Sequence, residues 1–200
     1  MDGPHRDAGA PTFAASRGDA CDDAGLLRRI GQGDEDAMAS FYREHGRAVF
    51  AQVLLVVGER VLAEEIVQDT MLAVWNGAGS FRGDSSVRSW VIGIARRRTR
   101  DRLRGHRLRI VDDAVLSSQP GPGPGPEVMA LDRAELAEVR AAIRSLAPAH
   151  REVLGLAFGC GLSLPEVAGV LEVPVGTVKS RLAAARTALN RALDEKGHNR

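Results

Sequence analysis

Apolar residues recur at helical spacing through two stretches of the chain, and between them the pattern breaks down. In the first stretch Asp34 can cap a helix running through Met38, Phe41 and Tyr42. A second helix is predicted over 47–57 and a third from about Glu59 to Trp75. The run from Asn76 to Asp84, rich in Gly and small polar residues, is a loop by composition. A fourth helix begins near Ser85 or Ser86, buries Val87, Trp90, Val91 and Ile94, and continues into a run of arginines. The second stretch predicts one helix near 130–145, another from about Pro148 to Phe158, and then two short helices with a tight connection. Ser163 and Glu166 form a capping box for the first of these, and Pro174 sits where the second should begin. Val175, Val178, Leu182, Leu189 and Leu193 make its buried stripe. Thr177, Ser180, Ala183, Ala184 and Thr187 face the other way, flanked by Lys179 and Arg181. A helix-turn-helix needs this arrangement to lay a helix in the DNA major groove. A plain amphipathic hairpin shows the same pattern, so spacing alone leaves both open.

Between the stretches, Ser117-Ser118-Gln119 leads into a strict Pro-Gly alternation from Pro120 to Pro126, which can continue neither helix nor sheet. The fold class is therefore all-α: two small helical domains joined by a flexible Pro/Gly-rich linker, the C-terminal one a helix-turn-helix. The predicted boundaries are a flexible tail over 1–21, a first domain over 22–108, a linker over 109–127 and a second domain over 128–195. At about 3.1 Å per residue such a linker spans roughly 60 Å.

With 200 residues, 44% hydrophobic and 4% aromatic, the chain can bury a core dominated by Leu, Ala and Val. No apolar run approaches membrane-spanning length, and the first 25 residues hold no signal core, so no membrane insertion and a cytoplasmic location are expected. Cys21 and Cys160 show neither disulfide nor zinc spacing, and Cys160 reads as a small core residue. The net charge of +1 conceals segregation. Eight arginines lie within 96–109, opposed by the lone Asp101, and a density that high points to a polyanion partner. The segment before residue 37 leans acidic. On the third helix Glu64, Glu65, Gln68 and Asp69 project from one side, which suits docking against a basic helical partner. Met71, Leu72 and Trp75 make its C-terminal half apolar on nearly every face, and part of that is core.

Read in order, both stretches resemble a bacterial sigma factor of the extracytoplasmic-function group in the sigma-70 family. The likeness runs from about residue 25 to 193. It is carried by Gly33-Asp34 with Ala37 and Phe41, by Ala63 to Thr70 leading to Val74-Trp75, and by Phe81, Trp90 and Ile94-Ala95-Arg96. In the second stretch it is carried by Leu146 with Pro148, Arg151 to Leu154, Leu162-Ser163 with Glu166-Val167-Ala168, and Val175 to Arg181. The resemblance implies a first domain, sigma region 2, that grips core RNA polymerase and the −10 promoter element. It implies a second, region 4, that reads the −35 element. The implied polymerase-binding residues are Glu64, Glu65, Gln68, Asp69 and Leu72. Single-stranded −10 DNA would meet Asn76, Ser80, Phe81, Arg82 and Asp84, with Arg88, Arg96, Arg97 and Arg100 following phosphates. Duplex −35 DNA would meet Thr177, Lys179, Ser180, Arg181, Ala183 and Ala184. The two alanines offer apolar contact alone, for example to a thymine methyl, which weakens direct base readout. Glu172 occupies a place where many helix-turn-helices carry a turn glycine. An anti-sigma protein is a further partner common in the family.

The competing reading among binding proteins is an autonomous helix-turn-helix activator or repressor, and nothing in the first stretch looks like a receiver or ligand pocket. A polymerase-binding adaptor that reads no DNA is another. No enzyme is predicted: the five histidines are scattered without ligand spacing, and no Gly-rich phosphate loop follows a strand. Asp34-Glu35-Asp36 is favourable charge at a helix N-terminus rather than a metal site. No cofactor and no metal are expected.

Overall fold

The computed structural model describes residues 19–110 and 139–197, and every regular element in them is helical. The predicted tail up to residue 18, the linker from residue 111 to 127 with its Pro-Gly run, and the start of the predicted second domain, with its helix near 130–145 up to residue 138, lie outside the described residues. Four helices form the first block: α1 (Asp19–Ile30), α2 (Glu35–Val57), α3 (Arg60–Gly77) and α4 (Val87–Ile110). The second holds α5 (139–145), α6 (Pro148–Leu154), α7 (Leu164–Leu171) and α8 (Val175–Gly197).

The Asp34 cap forms as the sequence predicts. Its carboxylate accepts the Ala37 N–H at 2.9 Å and the Arg29 guanidinium at 2.8 Å, which hold the acid below the ordinary aspartate range. At the other end of α2 the αL residue Gly58 (φ 77°) returns its N–H to the Leu54 carbonyl. Two expectations change. α2 is one 23-residue helix, not two, because the polar-looking stretch at its middle is amphipathic. Arg43, Glu44 and Arg47 face out, while His45 and Gly46 are buried, and His45 stands where an apolar residue would have kept the stripe visible. Its imidazole lies 3.1 Å from the buried Asp23 carboxylate of α1 and 4.4 Å, ring to ring, from Phe41. α1 itself is an element the sequence reading lacked. It begins at Asp19, within the span read as tail, and buries Leu26, Leu27 and Ile30 at helical spacing.

Around Phe41 the first block closes its core with Val49 and Val53 of α2, Ile66 and Val74 of α3, and Val91 and Ile92 of α4. α4 stays helical through the arginine run, two residues past the predicted boundary. In the second block α6 gives way to one π-turn over Gly155–Gly159, where the Cys160 N–H reaches the Gly155 carbonyl. The α7–α8 pair is a capped helix-turn-helix. The Ser163 hydroxyl accepts the Glu166 N–H, and the Glu166 carboxylate accepts the Ser163 N–H at 2.8 Å. Val178, Leu182 and Ala185 of α8 pack inward. Val175, placed in that stripe from its spacing, is instead 37% exposed, because it sits in the first turn beyond the reach of the core.

The turn is made by Glu172 itself, in the left-handed region at φ 58°, ψ 45°. A Cβ there costs about 1 kcal/mol against glycine. We expect Glu172→Gly to stabilise the chain by about that amount, raising Tm by roughly 2–4 °C, and a calorimetric melt that fell instead would contradict the strain.

Candidate nucleic-acid interface

α3 turns an outward face made of Val61, Glu65, Gln68 and Leu72, spaced by three and four residues. The ambiguity over its apolar half resolves by packing: Met71 is buried, whereas Leu72 is 61% exposed beside the acids. Glu64 pairs with Arg60 one turn back at 2.8 Å. Asp69 and Glu65 both hold Arg102 of α4, at 2.6 and 3.4 Å, so the acidic side is fixed in place by its neighbour.

Where α3 ends against α4, an open depression is lined by Asp69, Leu72, Ala73, Asn76, Gly77 and Arg98. Arg98 was not among the residues singled out from the sequence, although the arginine run contains it. Asn76, Ser80, Arg82 and Asp84 are exposed around the loop, and Ser80 turns back to donate to the Gly77 carbonyl at 2.7 Å. Phe81 is half-buried, its ring edge-on to Trp90 at 5.3 Å, so it anchors the loop as well as bordering it. Ser86 caps α4, accepting the Ser89 N–H.

The arginines of α4 divide by face. Arg97 and Arg98 are exposed. Arg88, Arg96 and Arg100, spaced to share another face, are turned to the second block. Arg96 donates to Glu152 of α6 at 2.9 Å, Arg88 to the Cys160 carbonyl at 3.5 Å, and Arg100 approaches Glu172 at 3.8 Å. The Ser86 hydroxyl donates to Glu166. Burial opposes ionisation of Glu166, but the hydrogen bonds from Ser86 and Ser163, with the Arg88 charge, outweigh it and hold its carboxyl below the ordinary glutamate range. The sequence reading had left the separation of the two blocks undefined; packing of α4 on α7 and of α2 on α6 brings them into contact.

On α8, Lys179, Ser180, Ala183, Ala184 and Thr187 are exposed on one side, while Thr177 and Arg181 are half-buried at its margins. Ser180 donates to the Thr177 carbonyl at 3.0 Å, a local bond that a base or phosphate can replace. Near this helix Phe158 is 62% exposed, with the Arg186 guanidinium 5.4 Å over its ring.

Among the histidines, folding gathers His45 with Asp23 and Glu44, one ligand atom from each lying within 4.8 Å of the others. The sequence showed no such grouping, because Asp23 comes from another helix. The His45 Nε2–Asp23 Oδ1 hydrogen bond pairs the two buried side chains. Cys160 is the core residue the sequence predicts. Burial pushes its thiol up to about 11, against the opposing charge of Arg88. We therefore expect Cys160 to resist alkylation at pH 8 in the native chain and to react after denaturation, as peptide mass spectrometry would read.

A cationic helix beside a loop of exposed polar groups, and a capped helix-turn-helix in a second block, are the features of a DNA-binding protein. The sigma-70 region 2 family matches residues 41–109, and sigma-70 region 4 matches residues 136–189. The chain is 36% identical over 179 residues to the RNA polymerase sigma factor NccH of Alcaligenes xylosoxydans xylosoxydans, covering 86% of this chain and 94% of that protein. It is 34% identical over 167 residues to the ECF RNA polymerase sigma factor SigL of Mycobacterium tuberculosis, covering 82% and 92%. Among solved structures, CnrH, an RNA polymerase sigma factor of Cupriavidus metallidurans, bound to the cytosolic domain of CnrY, superposes with a TM-score of 0.63 at 27% identity, covering 86% of this chain and 97% of that one. The chain belongs to the extracytoplasmic-function sigma factors of the sigma-70 family.

Proposed function

We infer that this chain binds core RNA polymerase and directs it to promoters, region 2 over 22–108 taking polymerase and the −10 element and region 4 over 128–195 taking the −35 element. One observation carries the assignment of surfaces: on a single block, the acidic and apolar face of α3 (Glu64, Glu65, Gln68, Asp69, Leu72) borders the arginine-bearing α4. A protein partner and a polyanion can thus be held side by side. Exposed Asn76, Ser80, Arg82 and Asp84, with Phe81 behind them, would take unpaired −10 bases, and Arg97 and Arg98 the adjoining phosphates. Lys179, Ser180, Ala183 and Ala184, with Thr177 and Arg181 at the margin, would enter the −35 major groove. The chain supplies recognition and the polymerase supplies the chemistry, so the site of action is the cytoplasm, where core enzyme and DNA are. Among the described residues no helix is long and apolar enough to cross a membrane. An anti-sigma protein is the further partner the family implies.

Transcription by core polymerase plus this protein on a randomised promoter library tests the reading. Recovered templates should share two short motifs separated by a fixed spacer, and the free protein should bind the same duplexes weakly, because each surface is small. Strong, sequence-selective duplex binding by the free protein, with no transcription added to core enzyme, would instead establish the autonomous activator or repressor.

A further inference from the structure

The turn that follows α1 lies directly against the loop assigned to −10 bases. A Cβ on Gly31 would meet Gly79 Cα and Gly79 N, both at 3.0 Å, where ordinary van der Waals contact lies at 3.4–4 Å. Both atoms are backbone, which cannot rotate aside as a side chain can. Space, not dihedral angle, demands this glycine: Gly33 takes the left-handed place in the turn, at φ 85°, and Gly31 has no positive φ. The α1 side of the contact is firmly held. Leu27 and Ile30 are buried, the Gly31 N–H donates to the Leu27 carbonyl and the Gly33 N–H to the Ile30 carbonyl, each at 2.9 Å, and Arg29 is tied to Asp34. The loop side is held less firmly. Of the 3-10 turn Ala78–Ser80, Ala78 is buried whereas Gly79 and Ser80 are exposed, and Phe81 follows against Trp90.

We propose that Gly31 is a positioning residue for −10 recognition: the bare backbone of the α1 turn is the stop on which the loop rests, and it sets where Ser80, Phe81 and Arg82 stand relative to Arg97 and Arg98. α1 supplies no group to DNA. The loop has two supports, Trp90 of α4 against Phe81 and Gly31 against Gly79, and the residues beside them are those that would take the bases. Stacking and hydrogen bonding to unpaired bases need placement to within about 0.5 Å, and a misplacement of about 1 Å can cost a hundredfold. A methyl at Gly31 forces a shift of a few tenths of an ångström, and the loop gives because the turn is the firmer partner. A branched side chain there drives it further. The restriction falls on the α1 residue alone, since a Cβ on Gly79 would lie 3.9 Å from Gly31 Cα, an ordinary contact. The polymerase-facing residues Glu65, Gln68 and Leu72 precede the loop on α3 and are not displaced with it.

This inference rests on the reading of the loop at 76–84 as the −10 surface, and the test separates the two. Full-length Gly31→Ala and Gly31→Val are compared with the unaltered chain and with Gly25→Ala, which adds a methyl to the same helix where nothing lies within 4 Å. Each is assembled with core polymerase. Binding is measured to a fluorescent single strand carrying the −10 motif recovered from the promoter library, and to the same strand with the motif scrambled. The ratio of the two affinities should fall about threefold for Gly31→Ala and about tenfold or more for Gly31→Val. Capture of core enzyme and −35 duplex binding should stay at the level of the unaltered chain, and Gly25→Ala should change nothing. In the free proteins, amide exchange should quicken over 79–82 and hold steady over 41–53. An unaltered ratio in Gly31→Val overturns the proposal. So does a lost ratio accompanied by lost capture of core enzyme and faster exchange over 41–53, which makes Gly31 a residue of folding alone. Asn76→Ala/Arg82→Ala holoenzyme distinguishes the failures. A full ratio in that variant removes the −10 loop, and the proposal with it. A lowered ratio there, with an unaltered one in Gly31→Val, keeps the loop and ends the proposal.

Discussion

Reversing charge at Glu64 and Asp69, to lysine at both, is expected to weaken capture of core RNA polymerase by about a hundredfold or more. Like charges brought together across a complementary interface cost several kcal/mol, and each 1.4 kcal/mol is about tenfold in affinity. The folded chain should tolerate the change. Glu64 pairs with Arg60 and Asp69 with Arg102 at positions open to solvent, where such pairs contribute about 0–1 kcal/mol each. The core beneath them, Ile66, Val67 and Val74, is untouched. Competition for core enzyme against a labelled sigma factor measures the first effect, and a thermal melt the second. Leu72→Ala in the same assay asks whether the exposed leucine between the acids anchors the contact, as its position on the outward face implies. Wild-type capture by the Glu64 and Asp69 double variant would reject α3 as the docking surface. Loss of capture with a collapsed melt would move the effect to folding.

Replacing Lys179 and Arg181 with alanine should weaken holoenzyme binding to duplex −35 DNA and flatten its salt dependence by about two units of log–log slope, roughly 0.9 for each phosphate contact removed. If either cation reads a guanine instead, the loss concentrates at one base position and costs about 1–3 kcal/mol there. The two residues differ in setting. Lys179 is exposed, whereas Arg181 lies half-buried at the edge of the helix face, so its alanine variant also loses stem packing. Val178, Leu182 and Ala185 still hold α8 to the block, and the helix should form. An unaltered salt slope in a folded variant would take both residues off the DNA face. The flanking Ala183 and Ala184 are exposed as the pattern predicts, so sequence preference at −35 should rest on few side chains.

Much of this molecule follows from local sequence. The Asp34 cap, the Ser163–Glu166 capping box and the inward run of Val178 and Leu182 depend on residues three or four apart. Their spacing along the chain is enough to predict them. The same holds for the exposed face of α8, whereas the loop read at 76–84 is shorter than its composition predicts, because α3 runs on through Asn76 and Gly77 and Ala78–Ser80 form a 3-10 turn. The family likeness is legible for a related reason: its motifs are strings of neighbouring residues. Periodicity misled where a polar residue is buried by a partner far along the chain. His45 interrupts the apolar stripe of α2 and so divided one helix into two, and the reason for its burial, Asp23, lies 22 positions away. Val175 misled in the opposite sense, since spacing assigns a face but says nothing of whether a neighbour reaches it.

Among the described residues, the tertiary structure alone decided which arginines of the run meet carboxylates from other elements. All eight in the run look equivalent along the sequence. Helical geometry then turns Arg97 and Arg98 to solvent, gives Arg102 to Asp69 and Glu65, and sets Arg96 and Arg100 against Glu152 and Glu172. Those partners stand 33 to 72 positions away, beyond any local pattern. Which of α4's cations meet carboxylates is therefore a property of how the blocks pack, while the presence of a cationic helix beside a helix-turn-helix is written in the chain itself.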